Sequence, residues 1–78
     1  MQTFYVQVKC ELGRTYEVAE NIAAQERHSE VYSTAGEFDL IVKYHVDDHI
    51  DVGHFVGDSV QRVAGIRDTK TIITFKAF

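Results

Sequence analysis

Four histidines, one cysteine and twelve carboxylates are the groups of this 78-residue chain best able to do chemistry. His45 and His49 stand four apart with Asp47 and Asp48 between them, and His54 follows five residues on. On one helix such an i, i+4 pair can clamp zinc. Here the apolar alternation runs up to Val46, so His45 closes a strand while His49 opens a helix, and the rings need not converge. Solvated loop residues are the plainer reading, His28 stands alone, and no metal is assigned. Cys10 ends another apolar alternation, which suits a buried structural thiol. A single cysteine excludes an internal disulfide framework and fits a reducing compartment. No nucleophile, base and oxyanion donor fall into a pattern, and no glycine loop that cradles phosphate appears. No catalytic residue and no cofactor are therefore expected. One stretch remains: Gly36, Glu37, Phe38 and Asp39 bring a bare backbone, carboxylates and a ring together within four residues. That combination suits recognition of something small and polar, and its bland alternative is a β-turn.

The elements that must hold this stretch can be read from period and punctuation. Phe4, Val6, Val8 and Cys10 alternate with Tyr5, Gln7 and Lys9, the mark of a strand with one face in a core. Gly13 breaks it, and Thr15 is placed to cap a first helix by accepting from a backbone amide, with Glu17 at its positive end. Val18, Ala19, Ile22 and Ala23 form the helix stripe, which ends near Arg27. The Gly36-Glu37 pair separates strand-like runs 29–35 and 38–46, making it the tip of a hairpin. In the second run Phe38, Leu40, Val42, Tyr44 and Val46 share one face, opposite Asp39, Ile41, Lys43 and His45. Asp47, Asp48 and Asp51 start a second helix with Val52, Phe55, Val56, Val60 and Val63 as its stripe. Gly53 and Gly57 weaken it by roughly 1 kcal/mol each relative to alanine, and either admit a neighbouring backbone or do nothing. Gly65 ends the helix and a last strand runs from about Thr69 to Phe75.

Strand, helix, strand, strand, helix, strand predicts an α+β fold of the ferredoxin-like βαββαβ type, a single domain over residues 1–78. Its four-stranded antiparallel sheet carries both helices on one face. The other face would expose Tyr5, Ile41 and either Ile72 with Thr74 or Ile73 with Phe75, since both sets in the last strand are apolar. Such a surface is too large to leave in water. A chain this short also buries only roughly 60 % of its unfolded surface. Dimerisation through the sheet, with Tyr5, Ile41, Ile72 and Thr74 at the interface, answers both points.

Hydrophobic residues at 45 % and charged residues at 26 % describe a folded protein and not a disordered tail. A net charge of −4 gives no general attraction for phosphate backbones, so direct nucleic-acid binding is not expected. Apolar runs are short and no signal peptide is evident, which points to a soluble cytoplasmic protein without a membrane partner.

Taken whole, the chain resembles the effector-binding and oligomerisation (RAM) domain of the Lrp/AsnC family of transcriptional regulators. The likeness lies in Gly13 before the first helix, and in Thr34-Ala35-Gly36-Glu37-Phe38-Asp39-Leu40 against that family's Thr-Gly-x-Tyr-Asp-Leu. It continues in Phe55 and Val60, and in Ala64-Gly65-Ile66 before Thr69-x-Thr71. The resemblance implies sheet-to-sheet dimers that assemble into octamers or decamers, with an amino acid or related small effector bound between dimers. Carried over by position, it points to Gly36, Glu37, Phe38 and Asp39, with Asp39 meeting an ammonium group, and to Thr69 and Thr71 at the start of the last strand. Ala35 replaces a usual glycine and Phe38 a usual tyrosine, which removes one hydroxyl from the pocket. The family's amino-terminal helix-turn-helix has no counterpart here, so the expectation is a stand-alone module, able to join a full-length Lrp/AsnC regulator but not to grip DNA itself. Two other readings fit the strand order. A cofactor-free monooxygenase would need a cavity between sheet and helices, and an ACT-type regulatory domain would place its ligand turn at Gly13.

Overall fold

A computed structural model, describing residues 1–78, turns the first alternation into strand β1 (Gln2–Cys10), with Phe4, Val6, Val8 and Cys10 buried. The remaining elements are α1 (Thr15–Ala24), β2 (Glu30–Ser33), β3 (Leu40–Val46), α2 (Val52–Val56) with a π-helical continuation over Gly57–Gln61, and β4 (Ile66–Ile73). The antiparallel sheet has the order β2-β3-β1-β4. β1 and β3 are central and supply most of the core, because only they have a hydrogen-bonded neighbour on each side. Val18 and Ile22 of α1 and Val56 and Val60 of the second helical segment pack on the same sheet face, closing a core of eleven buried side chains.

Several local expectations shift. Thr15 is the first residue of α1 and caps nothing; Arg14 is the cap residue, and its side chain makes no capping bond. The Thr15 hydroxyl stands instead near the Cys10 thiol, whose pKa is pushed up mainly by burial and drawn back in part by that neighbour. α1 stops at Ala24, short of Arg27, because Glu26 takes a left-handed conformation at φ 56°. Asp51 caps α2 directly, accepting the His54 amide at 3.0 Å. The second helix is not a uniform α-helix: from Gly57 it widens into a π turn. The Ser59 carbonyl accepts from Gln25 Nε2 at 2.8 Å and its hydroxyl from Arg27 at 3.0 Å. Those bonds tie the end of α1 to the second helical segment. Gly57 has open space where a Cβ would stand, so no neighbouring backbone of the protomer approaches it.

Gly65 is required where it stands. Its φ is +96°, and a Cβ would lie 3.0 Å from Val18 Cγ2 and 3.1 Å from the Arg14 guanidinium carbon. Its carbonyl also accepts the Glu11 amide at 2.7 Å, fixing the end of β1. Gly65→Ala is expected to cost about 2 kcal/mol, the scale of a strained left-handed residue. Urea denaturation measures this, and an unchanged midpoint would contradict it.

The parity of β4, open from the sequence, is set by pairing. Phe4 faces Ile73 and Tyr5 faces Ile72, so Ile72 shares the uncovered face while Ile73 lies on the helix side. β4 also starts earlier than expected, at Ile66, which pairs with Cys10 across an irregularity between Lys9 and Cys10.

Candidate effector site at the hairpin tip

The hairpin strands are shorter than their composition suggests, so residues 34–39 form a six-residue connection between Ser33 and Leu40. Gly36 sits at φ +108°, a conformation that favours glycine. The Thr34 amide donates to the Asp39 carbonyl at 2.8 Å, and its hydroxyl to the Phe38 carbonyl at 2.9 Å. Asp39 then fastens the tip to β1: its amide donates to the Val8 carbonyl and its Oδ2 accepts the Cys10 amide, both at 2.8 Å. Lys9 adds a bond from Nζ to the Glu37 carbonyl at 3.0 Å.

Against this braced loop lies a cavity of about 320 Å³ lined by Gln7, Thr34, Ala35, Glu37, Phe38 and Lys70. It offers a carboxylate, an ammonium group, an amide, a hydroxyl and an apolar wall. Glu37 and Phe38 are thus at the cavity, Gly36 shapes the loop beside it, and Asp39 is engaged through Oδ2 with β1. Thr69 and Thr71 lie elsewhere. They pair with Val8 and Val6 and so share the helix side, where Thr69 Oγ1 accepts from Gln61 Nε2 at 3.0 Å. The residue between them, Lys70, reaches the tip. Gln7 and Lys70 escaped sequence reasoning because they belong to strands distant from the hairpin; only the cross-strand pair Gln7–Lys70 brings them together.

The uncovered sheet face carries Tyr5, Ile41 and Ile72, joined by Tyr32, which pairs with Ile41. Tyr32 and Ile72 are 57 % and 38 % exposed, a large apolar area to leave in water. One ion pair lies on it. Glu30 accepts from the Tyr32 hydroxyl at 2.6 Å and lies 3.3 Å from Lys43 Nζ. Those two partners hold the Glu30 carboxyl below its ordinary range, and the same bond raises the Tyr32 phenol. Beyond them a cleft of about 840 Å³ runs between the face and residues 74–77, with Thr74 donating to the Thr3 carbonyl.

The sequence profile of the Lrp/AsnC ligand binding domain matches residues 3–78. The chain belongs to this family. Among its relatives is the HTH-type transcriptional regulator FL11 of Pyrococcus horikoshii, 32 % identical over 72 residues, 92 % of this chain and 47 % of that protein. This family member therefore spans about half the length of such curated relatives. Two solved structures superpose on it almost end to end. TTHA0845 from Thermus thermophilus does so at TM-score 0.90 and 27 % identity, covering 100 % of this chain and 98 % of that one. FFRP-DM1 gives 0.87 and 31 %, covering 96 % and 100 %. The ferredoxin-like arrangement is thus the family's own, and its relatives are transcriptional regulators. No helix of the structure is long and apolar enough to cross a membrane.

Proposed function

We propose that this chain is a stand-alone effector-binding and assembly module of the Lrp/AsnC type, taking a free amino acid or similar small zwitterion at the hairpin tip. The observation that carries the reading is the tip cavity with Glu37 and Lys70 on one lining. Glu37 suits an ammonium group, Lys70 a carboxylate, and Phe38 with Ala35 an apolar side chain. Gly36 lets the loop approach the ligand without a side chain in the way. Asp39 serves the site as the brace between loop and β1, and its second oxygen remains available for an ammonium group. Thr69 and Thr71 are set aside as ligand contacts on their helix-side position. Protomers pair through Tyr5, Ile41, Ile72 and Thr74, and dimers join near the tips into octamers or decamers, with or without a full-length regulator. An effector shifts that assembly only by binding one state better than another. The near-complete match to TTHA0845 and FFRP-DM1 supports a module of this size. The monooxygenase reading is disfavoured, because the space between sheet and helices is filled by packed apolar side chains.

Calorimetry against the twenty amino acids tests the site. At least one is expected to bind, and Lys70→Ala should weaken it about tenfold or more, the scale of one lost charge-assisted hydrogen bond. Asp39→Ala should weaken it as well and lower the unfolding midpoint, since the Cys10 amide loses its partner. Full affinity in Lys70→Ala would remove the cavity from consideration.

A further inference from the structure

β4 is an edge strand, with β1 on one side of it and no strand on the other. Most of its residues are exposed, Asp68 and Lys70 among them, and neither of these charges belongs to an ion pair in the protomer. The direction of its peptide groups follows from two contacts. The Val8 carbonyl accepts the Asp39 amide, so Val8 turns its peptide groups toward the β3 side of β1. Thr69 is paired with Val8, and so is Thr71 with Val6 two residues on. Both threonines therefore point their own amide and carbonyl away from β1, toward the free edge. The second contact agrees. The Thr69 amide donates to Asp68 Oδ1 at 2.9 Å, a side chain standing where a neighbouring strand would be.

We propose that β4 pairs antiparallel with β4 of a second copy about a two-fold axis through Thr69, joining the two sheets edge to edge. The charge sequence selects both the partner and the register. Residues opposed across strands stand on the same face, so the axis passes through a residue and not between two. With the axis at Thr69, each Asp68 faces the Lys70 of the other copy, and the outward peptide groups of the two Thr69 residues meet. With the axis at Lys70, the two lysines would stand opposite each other. With the axis at Thr71, Lys70 would face Ile72 and both charge pairs would be lost. Opposite charges directly across strands are favourable and like charges are not.

Charged side chains on an edge strand ordinarily discourage such pairing. Here Asp68 and Lys70 flank a neutral residue with opposite signs, an order that is complementary to its own antiparallel copy. On pairing, the Thr69 amide passes from Asp68 to the Thr69 carbonyl opposite, which frees the Asp68 carboxylate for the facing lysine. The register shift at the end of β1 leaves Arg67 without a partner there, and an extra residue of this kind bends its strand. The regular junction is therefore short, and the contact belongs to the weak, concentration-dependent class. It uses neither Tyr5 nor Ile41 and is independent of the sheet-to-sheet reading given above.

The test is sedimentation equilibrium of the whole chain from micromolar to millimolar protein at low ionic strength, with circular dichroism confirming the fold of each variant. Asp68→Lys and Lys70→Asp should each shift association to concentrations roughly tenfold higher or more, because both cross-strand pairs become repulsive. An equimolar mixture of the two variants should associate like the wild type, since each chain then meets opposite charges in the other. Thr69→Pro removes an outward amide that the ladder with β1 does not use and changes no charge, and it should weaken association as well. A wild type that stays monomeric, single charge variants that associate like it, or a mixture that associates no better than its components overturns the edge pairing. So does a folded Thr69→Pro chain that associates like the wild type, which would place the charges in some other contact. The charge variants change exposed side chains only, and they decide the matter by themselves should the proline unfold the chain.

Discussion

Phe4→Ala will leave the protomer at the edge of unfolding at 25 °C. Phe4 is 1 % exposed at the centre of the sheet and belongs to a three-ring cluster. Its ring is stacked on Tyr44 at 5.4 Å and meets Phe55 edge-on at 5.9 Å, while Tyr44 and Phe55 meet at 5.1 Å. Removing it takes the contact partner from both other rings and leaves a cavity, a change that costs about 3–5 kcal/mol. A domain of this length has a total stability on the order of 4–12 kcal/mol, so the loss is a large part of the whole. Urea unfolding followed by near-ultraviolet circular dichroism should show a collapsed midpoint and, before it, a weakened aromatic signal. A shift too small to resolve would mean that this ring is not part of the core.

Alkaline pH will destabilise the protein through Tyr44 in a way that Tyr44→Phe abolishes. Burial pushes the Tyr44 phenol up to about 12, an effect only partly opposed by the positive charge of Arg27. In the unfolded chain the phenol titrates near 10, so below that pH both states hold the proton and the stability is unaffected. Above it the unfolded chain gives up its proton first. Stability then falls by about 1.4 kcal/mol per pH unit, and by roughly 2.7 kcal/mol once the folded phenol titrates as well. The quantity to measure is the difference between wild type and Tyr44→Phe at pH 9 to 11.5, which isolates this one phenol. Parallel stability curves for the two proteins would show that the hydroxyl is not shielded from water.

Much of the fold was legible because β1 and β3 are central strands with one face in the core, and their alternation of Phe4, Val6, Val8 and Leu40, Val42, Tyr44 is the direct imprint of that placement. β4 resisted the same reading for a physical reason. It is an edge strand, and neither of its faces is well covered: Ile72 is 38 % and Ile73 47 % exposed, so burial does not select one set over the other. Thr15 misled because the helix starts one residue earlier in the chain than a Thr15 cap requires: Thr15 is already helical and Arg14 stands at the cap position. The hairpin looked longer than it is because Thr34, Ala35 and Phe38 have strand-compatible side chains. What ends the ladder is the Gly36 conformation and the attachment of Asp39 to β1, and that attachment is invisible without the tertiary fold. The same limit hid Lys70. A cavity assembled from a hairpin and two strands distant in sequence has no linear motif, whereas its lining residues Glu37 and Phe38 are neighbours on one turn and stood out in the sequence. The π turn at Gly57 also left no periodic trace, since its five residues are too few to shift the apolar stripe.

Cys10 offers the protein an internal gauge that needs no label. Its thiol is buried in the core beside Thr15 at the start of α1, so a reagent in solution meets it only when this end of the core opens. The raised pKa of the closed form keeps thiolate scarce until then. Alkylation of the only cysteine therefore reads the free energy of whichever opening exposes this end of the core, in the manner of amide exchange. An effector that tightens the loop would slow that reaction in proportion to its occupancy, turning a sulfur with no assigned chemistry into a residue-specific meter of local stability.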